Sequence, residues 1–256
     1  MKNLFENELR NFENYSLEDC GMIAFQNRFD AKFILKVGGR GIPVDFLRNA
    51  PQNYSVLQID GSKIQDYSTL YFDTPDLFCF NMHKNGRANR YKFRTRRYLS
   101  NGKIFNEIKK KLNTGKTLKF RKKRECFQQE FDAEFEELAR ENGFECENLL
   151  PSLTVEFSRI TLLNKNSPER VTLDFGLKYE LGNKKVSLTD TAIVEIKRER
   201  SGERTFSQEY LRSKHIESSG FSKYCVGICL TKKDVKKNIF LPKIRNMVFE
   251  SERKEL

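Results

Sequence analysis

Positive side chains recur at every second position between residues 90 and 96. The cations are Arg90, Lys92, Arg94 and Arg96, and mostly apolar residues lie between them. Because successive side chains of a strand point to opposite faces of a sheet, the four cations would share one face. Guanidinium and ammonium groups in such a row suit phosphate, which accepts charge-assisted hydrogen bonds.

Two further runs repeat this alternation. The second carries Glu107, Lys109 and Lys111, and the third carries Lys119, Arg121 and Lys123. Asn-Gly at 101–102 and Asn-Thr-Gly at 113–115 separate the runs, which is typical of hairpin turns. Two interpretations of this β-meander remain open. The charged face is either a solvated outer surface or the wall of a cavity around a bound polyanion.

Other predicted strands show the same division between a charged and an apolar face. Their charged positions are Asp30 and Lys32, then Arg170 and Asp174, then Glu195 and Lys197. An apolar face must bury against another layer, so helices would cover it from outside. We therefore predict an α+β fold with a closed antiparallel β-barrel, or tunnel, of about eight strands and a charged interior. Such an interior has room for side chains or one narrow ligand. Unpaired buried cations cost several kcal/mol each, so a phosphate chain is the expected occupant.

The remaining elements form one domain. We predict that residues 1–256 contain a motif-bearing core at 28–230 and a polar, helical C-terminal tail at 231–256. The other predicted strands are 28–37, 54–59, 67–72, 152–163, 170–181 and 185–200. The predicted helices are 43–50, 76–84, 131–142, 207–216 and 222–230.

The composition indicates a partner with negative charge. The net charge of +12 predicts a nucleic acid, a phosphate ligand or a membrane surface without choosing among them. Six scattered cysteines without a CxxC pair, and only two histidines, argue against a zinc site or a disulfide framework. Neither a signal peptide nor an apolar run long enough to span a bilayer is evident, so we expect a cytoplasmic protein.

Several strings in order resemble one family. FNMHKNGRANRYKFRTRRY at 80–98 is similar to the central basic run of bacterial VTC-domain proteins. These are relatives of the catalytic domain of the yeast vacuolar transporter chaperone complex, a polyphosphate polymerase among the CYTH-like triphosphate tunnel metalloenzymes. Similar strings precede and follow it: RFDAKF, LYFDTPDL, FNEIKKK, TLKFRKKR, FSRITL, RVTLDFGLKY, VEIK and FSKYCVG.

The resemblance implies roles for individual residues. Those it places in the catalytic centre are Lys32, Arg94, Arg96, Lys109 and Glu195. Those it implies as phosphate ligands are Arg90, Lys92, Lys119, Arg121, Arg159, Arg170, Lys223 and His83. Glu195 matches the carboxylate that holds Mn²⁺ or Mg²⁺, with Glu107 and Asp174 as possible additional metal ligands. The chain departs from the family pattern at Asp30 (usually Glu), Phe157 (usually Tyr), His83 (Arg in the yeast-type enzyme) and Gly220 (Lys there).

The resemblance also implies a function. It predicts metal-dependent phosphoryl transfer from ATP or another triphosphate in a basic tunnel, with polyphosphate synthesis as the leading activity. A triphosphatase and a non-catalytic polyphosphate-binding module are the alternatives. The expected partners are the triphosphate and polyphosphate, with a membrane protein as a possible docking partner. No specific nucleic-acid partner is expected, because no recognition motif accompanies the charge.

Overall fold

The structure is a computed structural model of the chain, and it describes residues 1–21, 28–38, 41–144, 148–199, 203–245 and 247. Residues 246 and 248–256 of the predicted tail lie outside this range. None of the helices described is long and apolar enough to cross a membrane.

One sheet dominates the fold. Its strands are β1 (Asn14–Tyr15), β2 (Arg28–Lys36), β3 (Tyr54–Leu57), β4 (Gln65–Asp73), β5 (Arg90–Tyr98), β6 (Ile104–Lys111), β7 (Thr117–Arg124), β8 (Leu150–Asn164), β9 (Glu169–Leu181), β10 (Lys184–Ser187) and β11 (Thr191–Glu199). Eight of them form a continuous antiparallel path in the order β2-β11-β9-β8-β4-β5-β6-β7. The antiparallel α+β fold and the three-strand meander at 90–124 are therefore confirmed.

The predicted barrel is not closed by hydrogen bonds. β2 and β7 are the two ends of the path, and no strand pairing joins them within the described residues. Instead, the backbone N–H of Ser219 donates to the carbonyl of Lys32, so the segment around Ser219 covers part of the free edge of β2. An edge strand covered by a loop is protected from pairing with other chains.

Helices pack against the outer, apolar face of the sheet. The helices are α1 (Lys2–Leu9), α2 (Leu17–Gly21), α3 (Ile42–Asn49), α4 (Phe78–Lys84), α5 (Ala133–Glu141), α6 (Phe206–Ser213), α7 (Lys223–Thr231) and α8 (Leu241–Arg245), with a 3₁₀ turn at Asn238–Phe240. Side chains of α1, α3 and α6 bury one half of the outer face, and side chains of α5 bury the half formed by the meander. This agrees with the prediction of helices outside the sheet.

α7 is the exception, because it packs against the inner face. Its Tyr224 ring lies 5.1 Å from the ring of Tyr71, which is on the same face as Arg94. Gly227 permits this close approach, since a Cβ there would lie 2.5 Å from Leu153 and from Tyr179. The prediction that helices pack only outside is therefore wrong for α7. A helix that is apolar on all sides, as α7 is, needs burial on all sides.

The Asp-Thr-Pro sequence after β4 has a structural role. The Asp73 carboxylate accepts hydrogen bonds from the backbone N–H groups of Cys79 and Phe80 at the start of α4. It also accepts one from the Tyr224 hydroxyl of α7. Carboxylates stabilise the first turn of a helix by accepting these otherwise unpaired donors. Asp73 thus joins α4 and α7 to the end of β4.

Three sequence predictions need correction. The strand predicted at 185–200 is two strands, β10 and β11, and helix α1 was not predicted. The tail is not a wholly solvated helix, since Phe240 and Met247 are buried in the apolar cluster around α7.

We expect Gly227→Ala to lower the free energy of unfolding by about 2 kcal/mol, because the methyl group would overlap two buried side chains. This loss should appear even though alanine has a higher helix propensity than glycine. Urea denaturation of both proteins measures it. Gly220→Ala is the control, because a Cβ there meets one side-chain atom at 3.5 Å. Equal stability of Gly227→Ala and the parent chain would contradict the tight packing of α7.

Candidate active site on the inner face

The strand register places the predicted site residues on one face. Glu195 lies directly opposite Lys32 on β2 and opposite Thr172 on β9. Arg94 lies opposite Glu107 in the same way. Directly paired residues project from the same side of a sheet. The face that they share with the first turn of α7 is called the inner face below.

Glu195 is the first of three carboxylates that each lie between two cations. Its Oε1 atom is 2.7 Å from Lys32 Nζ and its Oε2 atom is 3.4 Å from Lys197 Nζ. Burial raises the pKa of Glu195, but the charges of Lys197 and Lys32 outweigh it and hold the pKa far below its usual range. Glu195 is therefore an anion, and 15% of its side-chain surface is exposed to solvent.

Glu107 forms the second group, within the meander itself. Arg94 Nε donates to Glu107 Oε2 at 2.7 Å, and Lys119 Nζ lies 2.5 Å from Oε1. Arg94 also donates to the Tyr71 hydroxyl at 3.3 Å. The Glu107 side chain is fully buried. Burial acts to raise its pKa, but Arg94, Arg96 and Lys119 lower it well below the usual range.

Asp174 forms the third group and connects α7 to the sheet. Arg159 Nη2 donates to Asp174 Oδ2 at 2.8 Å, and Lys223, the first residue of α7, forms an ion pair with the same oxygen. Burial opposes ionisation, yet Arg159 and Lys223 hold the pKa of Asp174 at about 2. Lys223 Nζ also lies 4.4 Å from the centre of the Phe157 ring. The phenylalanine that replaces the expected tyrosine thus offers an aromatic face to cations.

Two central cations have no carboxylate partner among the described residues. Arg96 is buried, donates to Thr69 Oγ1 at 3.1 Å and lies over the rings of Tyr67 and Phe157. Lys109 makes no ion pair there. The charge of Arg94, together with burial, Arg96 and Lys197, lowers the pKa of Lys109 well below its usual range.

The other predicted phosphate ligands surround this centre. Arg90, Lys92 and His83 lie toward the beginning of β5, where Lys92 Nζ donates to Ser222 Oγ at 2.9 Å. Arg121 is exposed on β7 with its guanidinium 4.9 Å from the Phe105 ring. Arg170 lies opposite Lys197 in the register of β9 and β11. The structure thus places them on or beside the inner face, and their roles stay predictions.

Sequence reasoning missed two polar side chains of this face. Thr69 and Tyr71 of β4 receive hydrogen bonds from Arg96 and Arg94. The signal for them was the alternation Tyr67, Thr69, Tyr71, which a strand paired with β5 must present to the same side as the arginines.

The inner face offers a metal ion only part of its ligands. Within the described residues no three His, Cys, Asp or Glu side chains form a group that could hold a metal. Magnesium bound with phosphates commonly takes one or two carboxylates, and the substrate supplies further oxygens. Glu195 fits that pattern as a single, partly exposed carboxylate. Glu107 and Asp174 are enclosed by cations and almost fully buried.

We expect Asp174→Asn to lower the free energy of unfolding by about 3 kcal/mol at neutral pH, because it leaves two buried cations uncompensated. The folded-state pKa of about 2 lies below the ordinary value of 3.8, so the ionised carboxylate stabilises the fold above about pH 4. This contribution is lost as the pH falls toward 2, and the difference between the two proteins should shrink there.

Urea denaturation at several pH values measures this difference. Glu156→Gln is the matched control, because Glu156 is an exposed residue of β8. A difference for Asp174→Asn that stayed constant from pH 6 to pH 2 would contradict the proposed pairing.

Comparison with known proteins identifies the family. Residues 39–232 match the VTC domain, which is well over half of the chain. No match was found among curated proteins.

Solved structures with similar folds have low sequence identity. A candidate adenylate cyclase from Bacillus halodurans is 14% identical and has a TM-score of 0.46, with 77% of this chain and 96% of that chain covered. A candidate adenylyl cyclase from Hippeastrum, described as having a dominant triphosphatase activity, is 14% identical with a TM-score of 0.47. That match covers 80% of this chain and 98% of the other. Because residues 39–232 match the VTC domain, the chain belongs to the VTC domain family.

Proposed function

We propose that the chain transfers phosphoryl groups from a nucleoside triphosphate to a growing polyphosphate, with the phosphates bound along the inner face. The observation that carries the proposal is that Arg96 and Lys109, at the centre of that face, form no ion pair with any of the described residues. Buried cations without counter-charges are unfavourable, and bound phosphate oxygens would supply the missing negative charge. Membership of the VTC domain family supports the same function.

The arrangement suits the chemistry of phosphoryl transfer. A terminal oxygen of the acceptor phosphate would attack the γ-phosphorus of ATP, the bond to the β-phosphate oxygen would break, and ADP would leave. Such a reaction needs positioning of the phosphates and stabilisation of charge on their oxygens more than it needs covalent catalysis. Arg94, Arg96 and Lys109 are held rigidly by strands β5 and β6, so they can orient those oxygens.

The three carboxylates keep this site folded in the absence of ligand. Each compensates two cations, and among the described residues none of them pairs with Arg96 or Lys109. Glu195 is the carboxylate that would hold Mn²⁺ or Mg²⁺, together with phosphate oxygens. When bound, the ion would neutralise phosphate charge and orient the γ-phosphoryl group.

Purified protein incubated with ATP and Mn²⁺ or Mg²⁺ tests the proposal. We expect ADP and a ladder of polyphosphate on a gel. Formation of ADP and inorganic phosphate without polymer would indicate that the protein is a triphosphatase and not a polymerase. Binding of polyphosphate without turnover of ATP would indicate that the protein is a non-catalytic binding module.

Glu195→Gln should lower the rate about 100-fold, which is typical of removing one electrostatic contact at the reacting group. It should leave tripolyphosphate binding as tight as in the parent chain or tighter, because a negative charge near the phosphates is lost. Initial rates and isothermal titration calorimetry measure the two effects. Glu180→Gln is the control, since Glu180 is exposed on the β9–β10 hairpin. Equal rates for Glu195→Gln and Glu180→Gln would exclude Glu195 from the reaction.

A further inference from the structure

A second group of basic residues lies near the beginning of β5. It is outside the centre of the inner face around Arg94, Arg96 and Lys109, which is called the central cavity below. This second group consists of Arg90 and Lys92 on β5, His83 on α4 and Lys243 on α8. The group is called the outer cluster below. Lys243 lies beyond residue 232, where the match to the VTC domain ends.

Three observations connect members of the outer cluster to the residues before α7 and to Phe240. Lys92 Nζ donates to Ser222 Oγ at the start of α7. Lys243 Nζ lies 3.5 Å from the position that a Cβ of Gly220 would occupy, two residues before Ser222. The His83 ring stacks on Phe240 with a centroid distance of 6.3 Å, and Phe240 is buried in the cluster around α7. The buried Phe240 therefore anchors the segment that brings Lys243 to the cluster.

The outer cluster differs from the central groups in its ion pairing. Within the described residues, Arg90, Lys92 and Lys243 form no ion pair, whereas six cations of the central groups do. His83 Nδ1 is buried and has no hydrogen-bond partner in the part of the chain that the structure describes. Burial, followed by the charges of Lys92, Arg90 and Lys243, lowers the pKa of His83 to about 3. Three cations that form no ion pair among the described residues thus lie near a neutral imidazole.

We propose that Lys243 completes an outer phosphate subsite with Arg90, Lys92 and His83, which binds the part of a polyphosphate chain that extends beyond the central cavity. This inference rests on the proposed function, since it concerns the same ligand. Arg90 lies four residues before Arg94 on β5, which corresponds to about 13 Å along the strand. A long chain can reach both places, whereas a short phosphate held at Arg94 and Arg96 leaves the outer subsite empty.

The absence of a side chain at Gly220 makes room for this contribution. The backbone at Gly220 is not in the left-handed region, and Lys243 Nζ is the one atom near its missing Cβ. A lysine placed at position 220 would project toward the same space. The charge of Lys243 can therefore be removed and then restored from a different element of the fold.

Titration calorimetry with long-chain polyphosphate and with tripolyphosphate tests the subsite. Lys243→Gln should weaken binding of the long chain about fivefold, which is typical of one partly exposed ion pair. Binding of tripolyphosphate should change less than about twofold, because the central cavity is intact. Gly220→Lys combined with Lys243→Gln should restore long-chain binding. Lys236→Gln is the matched control, since it removes the same charge from an exposed residue that does not act on His83.

Histidine NMR gives a readout that does not depend on turnover. The chain has two histidines, so the exposed His215 serves as an internal reference for His83. Lys243→Gln should raise the pKa of His83, and so should long-chain polyphosphate bound to the parent chain, because each reduces the positive charge around the ring.

The outcomes separate the two proposals. If the parent chain binds both phosphates and Lys243→Gln matches it in long-chain affinity and in His83 titration, the outer subsite is wrong and the proposed function stands. Equal weakening of both ligands by Lys243→Gln would also overturn the subsite, since it would place Lys243 in the central cavity. If the parent chain binds neither phosphate, the proposed function fails and the subsite fails with it.

Discussion

Charge compensation on the inner face is the constraint on which the rest of the structure depends. Three carboxylates from three strands each neutralise two cations, so a densely basic surface can be buried without ligand. The compensation is incomplete, because Arg96 and Lys109 have no carboxylate partner among the described residues. A buried pair adds little net stability by itself, but loss of one member is costly. The same groups thus maintain the fold and leave the centre of the inner face positively charged.

The position of α7 turns this charged face into a site with two different ends. Its apolar side chains fill one end of the inner face, where Gly227 allows contact with Leu153 and Tyr179. Its first residue, Lys223, pairs with Asp174 at the border between the apolar and charged parts. The short C-terminal helices pack against the same apolar cluster and bring Lys243 to the outer cluster. The proposed phosphate subsite therefore depends on the packing of the C-terminal region.

The sequence predicts what depends on local periodicity and misses what depends on pairing between distant strands. The alternation in residues 90–124 indicated the meander and its charged face, because side-chain period two is a local property. The ion pair of Lys32 with Glu195 requires β2 to pair with β11, which spacing alone does not show. The inward position of α7 could have been predicted from its uniformly apolar residues. Nothing in the sequence around Lys243 indicates its approach to Gly220, since that follows from the burial of Phe240.

The location of Glu107 has a consequence for folding. The meander β5–β6–β7 consists of two consecutive hairpins, whose contacts are close in sequence and therefore form early. Glu107 lies on the middle strand and neutralises Arg94 on one neighbour and Lys119 on the other. The most basic part of the chain thus carries its own counter-charge before β11 and α7 have been synthesised. Repulsion among its cations is reduced during the period in which the nascent chain would otherwise expose them.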